Sequence, residues 1–425
     1  MAMPILTESI GARCVLPGAA ARRRSEWAVP LAVLLPLVFL AVPFHDRLKQ
    51  VWDAAAPLPE YVAAVGFLAA MAWLGAVKGR RVAAFASPAI ALAGVMAISA
   101  IVNGVPLVTL ATGLREALPW IVPGLLVAQI RDRVAIERIL WGMALLATAL
   151  ALYGIASFLT YRAMGGPFHL PPAPRNAWEA WFAYPYYSAD YRPGWRLAST
   201  FLHDNYFGVW LAMLVPVTWA LRTQACALAV RRAAAAMGVI QLVALTWTYS
   251  RSAALALAAG VAVLAWRGTP RALGLLLPVL LAAPWFAFRG DVERFVEPGA
   301  SLGGRVEFAQ GALAAVARNP LLGAGPGSVA LTDGHYVRVA HQTGLLGLMA
   351  WGWLLLAAIA PAARLREAGP WARQTGAALA AGLVACAAGA LGGEVWKRPQ
   401  LAVTCWLLAG LLAAVAARPL PEANR

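Results

Sequence analysis

A guanidinium stays charged at any physiological pH and can hold two phosphate oxygens at once through paired hydrogen bonds. Arg115, Arg196, Arg251 and Arg305 are spread through an apolar chain at positions that, by the reading below, all face the side of a membrane where cations are scarce. Taken together they suit a ligand that carries phosphate. Taken singly, each is also explained by contact with lipid headgroups or by a local acid: Glu116 beside Arg115, and Asp190, Asp291, Glu293 or Glu297 for the others. Arg251, in TWTYSRSAALALAAG, is the sharpest case, because it stands in a tight turn between two apolar runs where an unpaired charge is expensive.

The elements that must hold these cations are membrane helices. Hydrophobic residues make up 61% of the 425, charged residues only 13%, and mean hydropathy is +0.68. Soluble domains usually hold about 45–50% apolar residues, so lipid is the solvent for most of this chain. Apolar stretches long enough to cross a bilayer of ~30 Å recur at 28–44, 60–77, 83–102, 106–129, 139–159, 205–221, 233–249, 253–266, 272–288, 343–363, 375–393 and 401–417. The expectation is an all-α polytopic membrane protein with about twelve transmembrane helices. It has a single transmembrane domain, 28–417, flanked by short tails at 1–27 and 418–425.

The net charge of +16 would suit nucleic acid if it formed one patch. Instead the basic residues sit in short clusters at every second gap between apolar runs: Arg22 to Arg24, Lys78 to Arg81, Arg131 to Arg138, Arg222 to Arg232, Arg267 and Arg271, Arg364 to Arg373, and Arg418 with Arg425. That pattern excludes a nucleic-acid partner and sets orientation, placing these gaps and both termini on the cytoplasmic side of the membrane. The first apolar run reads as an uncleaved anchor, because further apolar spans follow it. Cys14, Cys226, Cys386 and Cys405 fall on cytoplasmic or intramembrane positions with neither disulfide nor metal spacing.

Two outer segments, 160–204 and 289–342, are far longer than the rest and are where a site is expected. The first is dense in aromatics and prolines, which suit a membrane interface and stacking on sugars alike. In the second, Val306, Phe308, Ala309, Leu313, Val316 and Ala317 recur as one face of a short amphipathic helix over 305–318, expected to lie along the outer surface. Gly323, Gly325 and Gly327 follow, in a stretch that reads more readily as a turn than as an anion cradle.

Four segments, WRLASTFLHDNYFGVWLAMLVPV (195–217), TYSRSAALALAAG (248–260), GRVEFAQGALAAVARNPLLGAGPGS (304–328) and DGHYVRVAHQTGLLGLMAW (333–351), together resemble the bacterial O-antigen ligase and O-antigen polymerase superfamily over roughly 105–360. The resemblance implies a GT-C-like membrane glycosyltransferase with its active site in the periplasm. It would use an undecaprenyl-pyrophosphate-linked glycan donor, invert the anomeric centre and need no metal or other cofactor. It implies that Arg196, Arg251 and Arg305, with Arg115 as a further candidate, line the donor pyrophosphate site, where fixed cations would stabilise the charge gathering on the leaving group. A flippase and a chain-length regulator are implied as partners, beside the lipid bilayer itself.

Ligases of that superfamily carry a histidine eleven residues before the glycine matching Gly344, where this chain has Asp333 followed by Gly334. That departure favours a polymerase, which adds one lipid-linked glycan to another, over a ligase, which moves the glycan onto lipid A core or protein. The acceptor hydroxyl must lose a proton, and a carboxylate or imidazole can take it; the order of preference is Asp333, His335, then His341. His203 beside Asp204 reads as a local hydrogen-bonded pair. A polytopic transporter or lipid flippase is the rival from another class. Transporters show two similar halves and charges near the midplane, whereas here no repeat between halves is visible and the polar residues gather at one face.

Overall fold

The structure is a computed structural model that describes residues 83–117, 120–163, 197–201, 203–277, 310–314, 316–328 and 334–417. The expected spans 28–44 and 60–77, both tails, most of 272–288, most of the segment 160–204 and half of 289–342 lie outside the described residues. Among those described, the secondary structure is helical with no strand. In chain order the helices are α1 (Ala86–Val102), α2 (Leu107–Ala117), α3 (Ile121–Val127), α4 (Arg133–Ala163), α5 (Asp204–Gln224), α6 (Leu228–Trp247), α7 (Arg251–Trp266), α8 (His335–Ile359), α9 (Pro370–Gly389) and α10 (Pro399–Ala416). Short 3-10 turns occupy Pro270–Leu276, Ala360–Leu365 and Val395–Lys397.

Arg133–Leu159, Leu228–Trp247, His335–Leu365 and Pro399–Ala416 are four helical stretches long and apolar enough to cross a membrane, and α1 and α7 are apolar but shorter. The chain is therefore a helical membrane protein. α5 buries nearly its whole circumference, from Phe207 through Val217, and α10 does the same from Leu401 to Leu412. A helix that is apolar all round belongs in the interior, and α5 and α10 lie there, with α9 packed against both. The outer helices keep apolar rows exposed: Leu145, Leu152 and Leu159 on α4, and Leu345, Met349, Trp353 and Leu356 on α8. Such spacing puts each row on one face, as expected where the surrounding solvent is hydrocarbon.

Lipid tails compete with apolar side chains, so helices in a bilayer are held by close backbone approach and by hydrogen bonds. Both are present. Where α3 crosses α10, a Cβ added to Gly410 would stand 2.1 Å from the Gly124 carbonyl oxygen, and one added to Gly124 would stand 2.3 Å from the Trp406 carbonyl oxygen. Only glycine lets these backbones meet. Between α4, α5 and α6, fully buried Gln241 donates its amide to the Ala144 carbonyl at 3.1 Å and to Thr148 Oγ1 at 3.0 Å, and accepts from Thr218 Oγ1 at 3.0 Å. Trp210 of α5 donates to Thr404 Oγ1 of α10 at 2.9 Å.

The packing separates the charges by end. The C-terminus of α5 meets the N-terminus of α9 through Gln224 and Thr375, Arg133 of α4 stacks on Trp371 of α9, and Arg267 beyond α7 donates to the Ala362 carbonyl beyond α8. Arg133, Arg222, Arg267, Arg364, Arg366 and Arg373 thus share one end of the bundle. At the other end Arg251, Arg338, Lys397 and Arg398 stand among Glu116, Asp204 and Glu394.

Two expected boundaries change. The span expected at 106–129 is two helices, α2 and α3, because Pro119 and Pro123 remove backbone donors from that stretch. The second long outer segment does not run to 342, since α8 begins at His335 and carries a break at Gly344.

Gln241→Leu should lower stability by about 1 kcal/mol, read as a lower thermal midpoint in detergent. The loss stays small because Thr148 keeps its bond to the Ala144 carbonyl and the Thr218 hydroxyl proton can turn from Gln241 to the Leu214 carbonyl, 3.2 Å away. An unchanged midpoint would show that this network contributes nothing.

Candidate functional site

α8 is broken where Gly344 adopts φ 65° and ψ −162°, a conformation that favours glycine. A break strands the carbonyls before it and the amides after it, and inside a membrane protein those groups need partners. The NPLLGAGPGS stretch supplies them. Ala324 N–H donates to the His341 carbonyl at 2.8 Å and Gly325 N–H to the Gln342 carbonyl at 3.0 Å. In return Leu345 N–H donates to the Pro320 carbonyl at 2.9 Å and Leu346 N–H to the Leu321 carbonyl at 3.2 Å. Buried Ser99 of α1 donates to the Leu322 carbonyl at 2.6 Å, with the Gln342 carbonyl 3.1 Å from the same hydroxyl, and Gln342 donates its side-chain amide to the Ser328 carbonyl. The glycine-rich stretch is therefore a backbone clasp on the broken helix.

The clasp sets the angle of residues 335–343, and with it Arg338. The Arg338 guanidinium donates through Nη1 to Glu394 Oε2 at 2.8 Å and through Nη2 to Glu116 Oε2 at 3.2 Å. Lys397 Nζ lies 3.8 Å from the same Glu394 oxygen. Arg338 and Glu394 retain only 15% and 17% side-chain exposure, so their Coulomb attraction is weakly screened. Beneath them is a cavity of about 60 Å³ whose lining includes Glu116, His335, Arg338, Gln342, Thr343 and Lys397, with Trp351 and Trp396 as apolar wall.

His335 sits at the start of α8, its ring centroid 4.9 Å from that of Trp351 and 4.8 Å from that of Trp396. Its backbone N–H is fixed to the Ala390 carbonyl at 3.0 Å. Although the residue is only 8% exposed, neither ring nitrogen has a hydrogen-bond partner among the described residues. His341 is half-buried, with an unpartnered Nδ1, and its own carbonyl is held by the clasp.

Arg251 is the exposed first residue of α7, which is capped by Ser250 accepting from Ala253 N–H at 3.2 Å. The turn before it is tight, with Tyr249 at φ 49°. The 390–398 stretch joins this turn to the cavity. A Cβ on Gly392 would lie 3.0 Å from Ser252 Cβ and one on Gly393 would lie 3.4 Å from the Tyr206 ring, while Arg398 stacks over Tyr206 at 4.7 Å. His203 Nδ1 and Asp204 Oδ1 are 3.2 Å apart, the local pair expected.

Of the residues singled out from sequence, His335 lines the cavity, His341 lies nearly two turns along the same helix segment, and Arg251 stands at the same end of the bundle. Arg115 occupies α2, and its neighbour Glu116 is engaged by Arg338. Arg196, Arg305 and Asp333 lie outside the described residues. Arg338, Glu394 and Lys397 were missed. The signal that singled out Arg251, a cation at a gap expected to face outward, applies equally to Lys397 and Arg398 in VWKRPQ and to Arg338 in DGHYVRVAHQ. Among the described residues no three His, Cys, Asp or Glu side chains converge as metal ligands. The chain matches no protein-family model, and no curated protein matches it significantly.

Arg338→Gln leaves two half-buried carboxylates facing one another and should destabilise by about 2–3 kcal/mol, below the full cost of breaking a buried pair because Glu116 is 31% exposed. Adding Glu394→Gln should recover part of that loss in thermal unfolding. Strictly additive losses would show that the two groups do not interact.

Proposed function

We propose that this chain is a polytopic inner-membrane glycosyltransferase, with about twelve spans and its active site on the periplasmic side. It would transfer an undecaprenyl-pyrophosphate-linked glycan to an acceptor glycan as a polysaccharide polymerase of the O-antigen ligase and polymerase type. The observation that carries the reading is the sorting of charge. The arginine-rich end of the bundle has the composition of a cytoplasmic face. At the opposite end Arg338, Lys397, Glu116 and an imidazole without a partner among the described residues line one cavity, and a membrane protein rarely keeps such groups together without a purpose.

In this reading the donor pyrophosphate lies against Arg251 and the cavity mouth, joined by Arg196, Arg305 and Arg115. The acceptor hydroxyl attacks the anomeric carbon, the glycosyl–phosphate bond breaks, and both bonding electrons leave with the pyrophosphate. Fixed guanidiniums favour the departing charge more than the ground state does, which is the condition for rate enhancement. The proton goes to Asp333, or to the His335 imidazole, which lines the cavity with no competing hydrogen bond among the described residues. His341 is the third candidate. The donor arrives activated, so no nucleotide is needed outside the cytoplasm.

The interrupted pair α2 and α3 and the broken α8 favour a second reading, movement of a lipid-linked glycan between leaflets, because transporters build their sites from discontinuous helices.

Both readings are tested in proteoliposomes loaded with an undecaprenyl-pyrophosphate-linked oligosaccharide. The polymerase reading expects products of increasing length, and Arg251→Ala, with folding checked, should slow their formation about 100-fold or more. Undiminished lengthening in that variant would overturn the role of the arginine. Glycan of unchanged length that switches leaflet would replace the enzyme with a flippase, and transfer only to added lipid A core would replace the polymerase with a ligase.

A further inference from the structure

At the arginine-rich end, remote from the cavity, one corner combines charge with exposed apolar surface. It is built where α7 ends and the 3-10 turns Pro270–Leu276 and Ala360–Leu365 pack against the bundle. Trp266, the last residue of α7, is 70% exposed and flanked by two cations, Arg366 at 4.9 Å and Arg267 at 5.3 Å from its ring centroid. Arg267 is held in place by a 2.9 Å bond from Nη1 to the Ala362 carbonyl, while its Nε is buried with no partner among the described residues. Burial first, and the nearby Arg366 charge second, press the Arg267 pKa below its ordinary value. Arg271 and Arg364 extend the cluster.

No carboxylate among the described residues lies within ion-pair distance of Arg267, Arg271, Arg364 or Arg366; Glu367, the acid nearest in sequence, is exposed and engages none of them. Two like charges sharing one indole repel unless an anion lies between them. Leu273, in the same 3-10 turn as Arg271, and Leu277 just after it are exposed. A free anion has no use for that apolar surface. A molecule with a phosphate at one end and hydrocarbon at the other satisfies both.

We infer that the corner formed by Trp266, Arg267, Arg271, Arg364 and Arg366 is a binding site for the headgroup of an anionic phospholipid, with its acyl chains lying along Leu273 and Leu277. The forked guanidiniums take the phosphodiester oxygens, and the indole sits at the headgroup level that tryptophan favours. Basic pockets at the ends of membrane helices hold acidic headgroups in this manner. The site is independent of the transferase reading.

The test uses the full-length purified protein, exchanged into nanodiscs of phosphatidylcholine or of phosphatidylcholine with phosphatidylglycerol. Lipid retained on the protein is counted by native mass spectrometry, and the thermal midpoint is read in parallel. The wild type should retain phosphatidylglycerol preferentially and melt at higher temperature in its presence. Arg267→Gln with Arg366→Gln should reduce that retention about tenfold or more. Arg267→Lys with Arg366→Lys, which keeps the charge but not the fork, should fall between the two. Arg231→Gln with Arg232→Gln, equal in charge removed but outside the corner, should leave retention nearly unchanged. Equal losses in both glutamine pairs would reduce the site to diffuse attraction and overturn it. So would stabilisation of the phosphatidylcholine sample by inorganic phosphate alone to the same extent, which would mark a free-anion site. If the Arg267→Gln, Arg366→Gln pair does not fold, Trp266→Ala replaces it, and full retention there sinks the proposal.

Discussion

A helix broken inside a membrane protein has to find hydrogen-bond partners for the groups it exposes, and the architecture at the cavity end follows from how α8 meets that demand. Gly344 opens the helix, and the stretch from Pro320 to Gly325 answers with two carbonyls and two amides in register. The clasp adds to what else holds residues 335–343, the His335 N–H bond to the Ala390 carbonyl and the Arg338 ion pairs; without the break, the stretch from Pro320 to Gly325 would lose these partners. Ser99 ties both to α1, so the first described helix, the glycine-rich stretch and α8 form one unit. A Cβ at Gly344 would come within 2.3 Å of the Leu321 carbonyl carbon, and one at Gly323 within 2.5 Å of the His341 carbonyl oxygen. The two glycines therefore serve close approach as well as positive φ.

Three things follow from the direction the clasp gives to residues 335–343. His335 is carried into the slot between Trp351 and Trp396. Arg338 is presented to Glu116 on one side and Glu394 on the other. Val339 and Thr343 are turned to the cavity wall. The same segment as a straight continuation of α8 would point elsewhere, and the ion pairs linking α2, α8 and the stretch before α10 would not form. Those pairs in turn join parts of the chain more than two hundred residues apart, and they do so where screening is weak.

Sequence reading reached the helices and their order because apolar length and charge asymmetry are local quantities. α5, α7 and α10 begin and end within three residues of expectation. It missed the split of α2 from α3 and the early start of α8 because both depend on proline and glycine geometry inside runs whose hydropathy hardly changes. It read the glycine stretch as a turn but could not see its partner, since a backbone clasp leaves no trace in side-chain pattern. Arg338 was passed over for a different reason. It lies in the same outer segment as Arg305 and carries the same signal, but only the helical start at His335 makes it a half-buried charge held between two carboxylates.

The Arg338 cluster also constrains what the cavity can accept. As the structure stands, the guanidinium fork is occupied on both arms by carboxylates, and the nearby charges of Arg338 and Lys397 are matched by those of Glu116 and Glu394. A phosphate group reaching this point would have to displace at least one carboxylate, and Glu394 would still have Lys397 close by to receive it. Exchanging a carboxylate for a phosphate oxygen keeps an anion on the same arm of the fork. What changes is the freed carboxylate, which becomes a base beside the site at the moment an anion arrives. Arg251 stands apart from this exchange. Exposed at the head of α7 and set by the tight turn at Tyr249, it can meet an anionic ligand before the ligand reaches the closed pairs deeper in.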